Sequence, residues 1–316
     1  MFLGVAGGGT KTAFCLVDAD GRIAAEARTE SVYYLGEGLA IVEPLLRKGI
    51  DEVCRIAGIP VAGITYAFFG LPAYGEISAD QPVLDALPAK ILGSPEYRCG
   101  NDMVCGWAAS LGGVDGINVV AGTGSIAYGE NLGRQWRGGG WSELFGDEGS
   151  GYWIAIKGLN AFSRMVDGRL PVGPLAGEMR RALDLAADFD AIDVVVNRWQ
   201  GDRGKIATLA EVVVRAAEAG DASSVDVLRE AGRELALLVE VGRVALDFDP
   251  AHRVPVSYSG GVFGSEQVLA SFRESLTHEY DLRDPLLEPH VGAAVHAARL
   301  HGHPLRAQDI HALASR

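Results

Sequence analysis

The 316-residue chain carries 28 Lys and Arg against 41 Asp and Glu, a formal net charge of −13, with 48% hydrophobic and 22% charged residues. This composition suits a globular protein with a full core. The acidity argues against nucleic acid or an anionic membrane as a partner, since both demand a basic surface, and no basic cluster exceeds the pair Arg180-Arg181. No apolar stretch is long enough to span a bilayer, and Met1-Phe2-Leu3-Gly4 lacks the basic region and apolar run of a signal peptide. Four cysteines (Cys15, Cys54, Cys99, Cys105) without C-x-x-C spacing predict reduced thiols in a cytoplasmic protein and no zinc or redox motif.

Residues 2 to 28 read as three consecutive strands in a meander, with turns at Gly7–Thr10 and Asp18–Gly21. Ile41, Leu45, Leu46, Ile50, Val53 and Ile56 predict a helix over Leu39–Ala57 that stops at Gly58, before Pro60. Ile64–Phe69 reads as a buried strand ending at Gly70-Leu71-Pro72. A further strand should precede Gly100, and a helix should run from near Asp102 to Leu111. The glycines from Gly112 to Gly116 mark a lobe boundary. Strand Ile117–Ala121 opens a second half that turns largely helical, at Ser150–Met165, Leu175–Leu185, Lys205–Ala219 and Val225–Phe248. A last strand, Val254–Tyr258, enters Ser259-Gly260-Gly261-Val262, and helices follow near Ser265–Leu276 and Val291–Leu300. The expected domains are therefore 1–115, with 305–316 a candidate to rejoin it, and 116–304.

The chain also repeats itself. Val5-Ala6-Gly7-Gly8-Gly9-Thr10 returns as Val120-Ala121-Gly122-Thr123-Gly124-Ser125, each time an apolar strand running into a glycine turn and then a second strand. Such an echo reports duplicated architecture, here two related lobes aiming backbone-rich loops at one ligand. Consecutive glycines let several N–H groups converge on an anion, and Thr10 and Thr123 add hydroxyls, so a nucleotide triphosphate is the simplest ligand. Tight hairpin turns are the alternative use of the same glycines. No G-x-x-x-x-G-K-[ST] is present, and both turns continue into strands where a dinucleotide fingerprint would open a helix. A P-loop fold and a Rossmann dehydrogenase are thereby set aside.

Strand–GGGT–strand, Asn101-Asp102, the GTGS turn, Gly138-Gly139-Gly140-Trp141 through Gly146-Asp147-Glu148-Gly149-Ser150-Gly151-Tyr152-Trp153, and Ser259-Gly260-Gly261 occur in that order. In this the chain resembles sugar kinases of the actin/hexokinase superfamily, specifically N-acetylglucosamine kinases of the BadF/BadG/BcrA/BcrD ATPase group. The resemblance implies an α/β fold of two ribonuclease-H-like lobes with an interlobe cleft, the C-terminal lobe helix-rich. It implies ATP and Mg²⁺ as cofactors, a small-molecule sugar as substrate, and a homodimer. Gly8, Gly9, Thr10 and Lys11 would form the first phosphate loop, with Lys11 ranked below Thr10 as a solvated turn lysine. Gly122, Thr123 and Gly124 would form the second, and Gly260 and Gly261 would border the adenosine.

By the same resemblance Asp102 is the catalytic base, the carboxylate that takes the proton of the attacking sugar hydroxyl. Spacing alone also allows it to be a helix N-cap. Asp147, Gly140, Trp141 and Ser142 match sugar-holding positions, and Asn101 and Ser125 are further candidates. The bland alternatives are a turn or cap for Asp147 and core packing for Trp141.

Two positions depart from the pattern. Relatives carry Asp or Glu where this chain has Ala6, which leaves the metal-holding group unassigned. The Asn-containing sugar loop reads Ser31-Val32-Tyr33-Tyr34. The cysteine-rich zinc motif of ROK sugar kinases is absent. The leading expectation is ATP-dependent phosphorylation of an amino sugar hydroxyl, the 6-hydroxyl of N-acetylglucosamine, with glucosamine as the alternative substrate; Glu143 and Tyr33/Tyr34 could serve either. Two other classes are an ATPase activating an iron–sulfur dehydratase, which would draw on Cys99 and Cys105, and a non-catalytic sugar or nucleotide sensor, motivated by Ala6.

Overall fold

The three apolar runs at the N-terminus fold as β1 (Phe2–Gly7), β2 (Lys11–Val17) and β3 (Ile23–Glu30) in a computed structural model that describes residues 1–314. β1 is buried along its whole length and β2 everywhere but Lys11, as befits strands covered on both faces. β3 alternates buried and exposed positions because it lies at the sheet edge. Helix α1 (Val42–Ala57) packs on β2 and β3, and Gly49 permits the approach: a Cβ there would lie 2.1 Å from Phe14 Cε2. β4 (Tyr66–Leu71), α2 (Gln81–Leu92), β5 (Tyr97–Asn101) and α3 (Asp102–Leu111) follow. The sheet order is β3-β2-β1-β4-β5, with β1, β2 and β3 antiparallel in turn and β1, β4 and β5 parallel.

A second sheet starts at Gly116. It comprises β6 (Gly116–Ala121), β7 (Ser125–Asn131) and β8 (Arg134–Gly139), joined later by β9 (Val254–Ser259) and β10 (Tyr280–Arg283). Its order, read from β8, is β8-β7-β6-β9-β10, which repeats the first sheet read from β3. The pairing senses repeat as well, antiparallel for β6–β7 and β7–β8 and parallel for β6–β9. The echo in the sequence is therefore an echo in topology. Between β8 and β9 come α4 (Gly151–Val166), α5 (Pro174–Leu183), α6 (Asp190–Ile192) with a π-helical continuation (Asp193–Arg198), α7 (Arg203–Ala207), α8 (Ala210–Glu218) and α9 (Ala222–Ala245). α9 buries Leu228, Ala231, Leu235 and Val239, one helical stripe, in this unit's core; α10 (Glu266–Ser275) packs alongside it.

The chain then returns. α11 (Pro289–Leu300) and α12 (Ala307–Ala314) follow β10, and the compact units are Met1–Asp115 with the chain from Arg283 onward, and Gly116–Leu282. The expectation that 283–304 belongs with the second half is corrected. The reason is the small-residue face of α11: Gly292 lies against Ala109 of α3, and β1 meets the helix at Gly4, where a Cβ would sit 2.2 Å from Ala294 N. Backbones this close bind α11 into the first unit's core.

Other differences have local causes. β8 (Arg-Gln-Trp-Arg-Gly-Gly) lacks apolar alternation and is recognisable only from its pairing with β7. Such charged edge strands resist edge-to-edge association. α2 runs through Pro88, a residue that reads as a breaker. The single helix expected over Lys205–Ala219 is broken between α7 and α8, where the Thr208 hydroxyl donates back to Lys205 O at 2.7 Å. No helix among the described residues is long and apolar enough to cross a membrane.

Gly292→Ala tests the α11 seam, because its methyl would lie 2.3–2.6 Å from Ala109 N, Cα and Cβ. Overpacking of this kind costs about 1–3 kcal/mol. Calorimetry should show a lowered melting temperature; an unchanged midpoint would mean that α11 can stand further from α3 than the packing argument allows.

Candidate nucleotide and sugar site

The glycine turn after β6 is built to present backbone. Gly122 N donates to Gly124 O at 2.9 Å, closing the turn. Gly122 O accepts from Gly151 N at 2.8 Å, and Thr123 O from Tyr152 N at 3.2 Å. The turn is thus docked on the start of α4, which is capped by the fully buried Ser150, its Oγ accepting from Trp153 N at 3.1 Å. A cavity of about 610 Å³ opens beside it, lined by Gly122, Thr123 and Gly151, by Gly261, Val262 and Ser265 after β9, and by Ala207, Thr208 and Glu211 of α7 and α8. That is the size range of small-molecule sites. Ser265 Oγ is buried at its wall without a hydrogen-bond partner, an orphan that a ligand polar group would satisfy.

The glycines sort by what a side chain would meet. Gly260 has φ 100° and a Cβ there would lie 2.2 Å from Ala121 O, so the fold itself requires it. Gly122 and Gly261 have no left-handed φ, and a Cβ at either would meet nothing within 4 Å; the same holds for Gly9 of the first unit. Glycine costs roughly 0.5–1 kcal/mol of backbone entropy relative to alanine. At these three positions nothing in the fold demands it, and the vacant space lies where phosphate or base would approach the backbone. Gly122, Thr123 and Gly261 thus line the cavity, while Gly124 is covered by Arg203 and Asp147.

In the first unit the turn after β1 is closed by Gly8 N donating to Lys11 O at 2.9 Å, and Ser31 Oγ braces it by donating to Gly8 O at 2.6 Å. Thr12 Oγ1, buried below, accepts from Val32 N at 3.1 Å. Gly9, Thr10 and Lys11 form an exposed tip. The Ser31-Val32 segment, a departure from the family pattern, therefore supports the phosphate loop.

Asp102 is not the N-cap. Asn101 caps α3, its Oδ1 accepting from Met103 N at 3.1 Å while its Nδ2 donates to Tyr74 O at 3.0 Å. Asp102 is the first helical residue, half-buried, where a negative charge meets the positive end of the helix dipole. The side chain of Asn101 is thereby engaged in the fold, as is that of Ser125, whose Oγ donates to Glu148 O at 2.7 Å.

The segment after β8 is unusually contorted. Gly139, Gly140, Ser142, Asp147 and Gly149 all have positive φ, 57° at Asp147 and 83° at Ser142. Non-glycine residues in this region are uncommon and concentrate at functional sites. Trp141 is 70% exposed, so core packing does not explain it, and Leu144 and Phe145 stand exposed beside it. Asp147 is only 2% exposed. It does not cap α4, since Ser150 does. Its Oδ2 accepts from Arg203 Nη2 at 2.6 Å, and Arg203 Nη1 lies 3.5 Å from Glu143 Oε2. Burial pushes the Asp147 carboxyl above its ordinary range, and the neighbouring Glu143 adds to this while Arg203 opposes it. Arg203, Thr208, Glu211 and Ser265 escape sequence reasoning, because they sit on ordinary amphipathic helices or at a helix start and acquire significance only through tertiary proximity.

Cys99 and Cys105 are buried in the first unit, Cys105 with its Sγ 3.5 Å from Val5 O. Among the described residues no group of three or more His, Cys, Asp or Glu is arranged to hold a metal.

Known proteins share this arrangement. An N-acetylmuramic acid/N-acetylglucosamine kinase of Clostridium acetobutylicum is 37% identical over 182 residues, 57% of this chain and 59% of that protein, so the alignment spans less than two thirds of that relative. An N-acetyl-D-glucosamine kinase of Dictyostelium discoideum is 26% identical over 93% of this chain and 97% of its own length. The solved structure of a candidate N-acetylglucosamine kinase from Chromobacterium violaceum superposes with a TM-score of 0.67 at 26% identity, covering 92% of this chain and 96% of that one. Residues 3–297 match the model of one ATPase family. By that match the chain belongs to the BadF/BadG/BcrA/BcrD ATPase family.

Proposed function

We propose that the protein is an ATP-dependent amino sugar kinase that phosphorylates the 6-hydroxyl of N-acetylglucosamine. The observation that carries this reading is the cavity beside Gly122, Thr123 and Gly261, where glycines keep open a space the fold does not need. The N–H groups of the turns after β1 and β6 would hold the phosphates, and Gly261, Val262 and Ser265 the adenosine. Asp102 takes the proton of the 6-hydroxyl as its oxygen bonds to the γ-phosphorus and the bond to the ADP oxygen breaks, leaving sugar 6-phosphate and ADP.

Magnesium, when bound, would neutralise charge on the transferring phosphoryl group. Mg²⁺ is commonly held by one or two carboxylates, waters and the substrate's own phosphates, so the lack of a multi-ligand cluster among the described residues suits a metal that arrives with ATP. Asp102 is the carboxylate we assign to it, with Ala6 lying flat between Ala13 and Gly70 in the sheet.

Two features favour the N-acetyl sugar over glucosamine. Glu143, the carboxylate that could have met an ammonium, is already beside Arg203 and accepts from Ser142 Oγ at 3.2 Å. Trp141, Leu144 and Phe145 offer exposed apolar surface that suits an acetamide methyl. The four free and buried cysteines suit a reducing, cytoplasmic setting.

ADP formation with each sugar is the direct test. Turnover should be higher with N-acetylglucosamine than with glucosamine, and absence of turnover on both would overturn the reading. Asp102→Asn should lower kcat by about 10²–10⁴-fold, the usual contribution of a general base, with ATP affinity retained. Unaltered ligand binding without turnover in the unmodified protein would instead identify a sensor.

Gly122→Ala separates ligand from fold. Its methyl meets no protein atom, so thermal stability should hold or rise slightly, while ATP affinity measured by calorimetric titration should fall about tenfold or more, the loss of a charge-assisted N–H contact of about 1.5–3 kcal/mol. Equal ATP affinity would place the phosphates elsewhere.

A further inference from the structure

One short helix serves both substrates' candidate contacts. Gly204, Ala207 and the following Thr208 of α7 line the nucleotide cavity, and its first residue, Arg203, reaches the other way. Arg203 Nη2 is the 2.6 Å partner of Asp147 Oδ2, and a Cβ on Gly124 would lie 2.2 Å from the same nitrogen. The guanidinium is therefore wedged between the phosphate turn and the carboxylate matched to sugar binding, with its Nε buried and unpartnered.

A carboxylate as buried as Asp147 is costly to keep ionised without a cation. Glu143 and Glu148, from its own segment, raise that cost; Arg203, with the Ser125 backbone N–H, opposes it. Ionisation matters for recognition: a carboxylate offers about four acceptor sites to hydroxyls, whereas a protonated carboxyl surrenders part of that capacity.

We propose that Arg203 is a positioning residue for the sugar, holding Asp147 charged and oriented so that its remaining lone pairs accept sugar hydroxyls, and tying that carboxylate to the helix that lines the nucleotide cavity. The inference rests on the reading of Asp147 as a sugar contact in an amino sugar kinase.

The test compares Arg203→Met, Arg203→Lys, Asp147→Asn and the Met/Asn double variant, with KM for N-acetylglucosamine and for ATP measured across about pH 6 to 9. Arg203→Met should raise the sugar KM about tenfold or more with the ATP KM within about twofold. Loss of the cation lifts the Asp147 pKa further, so the deficit should be worst at low pH and shrink as rising pH ionises the carboxyl. Arg203→Lys should restore most of the affinity. The double variant should be no worse than Asp147→Asn alone, because residues acting through one another are not additive.

Equal loss in both KM values at every pH would show that Arg203 merely holds α7 together and would overturn the proposal, as would an unchanged sugar KM or additive effects in the double variant. In those cases turnover by the unmodified protein still upholds the kinase reading. No turnover on either amino sugar by the unmodified protein removes the kinase reading and this inference with it.

Discussion

The second unit's site depends on how closely backbones approach at the carboxyl end of β6. Ala121 O lies where a side chain on Gly260 would have to go, and the next carbonyl, that of Gly122, accepts from the first amide of α4. These contacts fix the mouth of β6 against the loop after β9 and the helix start at Gly151. A Cβ on Gly260 would drive β9's exit from β6, and loss of the Ser150 cap would loosen the start of α4. The cavity exists because these backbones meet, and its walls then need little more than apolar filling from Ile154, Val214, Leu228 and Val268.

Topology explains why the chemically useful residues gather where they do. In an α/β sheet the carboxyl ends of parallel strands share one edge, and connections there are free to bind ligands. In the first unit β1, β4 and β5 are parallel and end at Gly7, Leu71 and Asn101, so the Gly8–Lys11 tip and Asp102 leave the sheet from the same edge. In the second unit β6 and β9 end at Ala121 and Ser259, from which the glycine turns depart. Repetition of one strand order puts a backbone-rich turn at the equivalent place in both halves.

Much of this was legible in the sequence because the central strands are apolar on both faces and the turns are marked by glycine. β1, β2, β6 and β9 were readable, as were α4 and α9 from their helical spacing. What escaped depends on distant partners. β8 gains its identity from β7, and α11 its placement from glycine contacts with α3 and β1. The cap of α3 was misplaced by one residue, since Asn and Asp are equally good N-caps and only backbone geometry shows that Asn101 is extended while Asp102 is helical. The phosphate and sugar motifs surfaced because they are contiguous; Arg203 did not, since 56 residues separate it from Asp147.

The strained segment between β8 and α4 shows how such distant contacts define a site. Left-handed conformations at Ser142 and Asp147 cost about 1–3 kcal/mol each and persist only where the surroundings over-determine them. The restraints are visible. Asp147 O accepts from Ser150 N at 3.0 Å, its carboxylate is paired with Arg203, and Gly146 and Gly149 admit neighbours that a Cβ would displace, the latter Ala231 O at 2.8 Å. A buried ion pair adds little net stability over apolar packing, yet removing one partner is expensive. The pair is therefore poorly explained as a stabilising device and well explained as a means of fixing one carboxylate in one orientation beside a phosphate-binding turn.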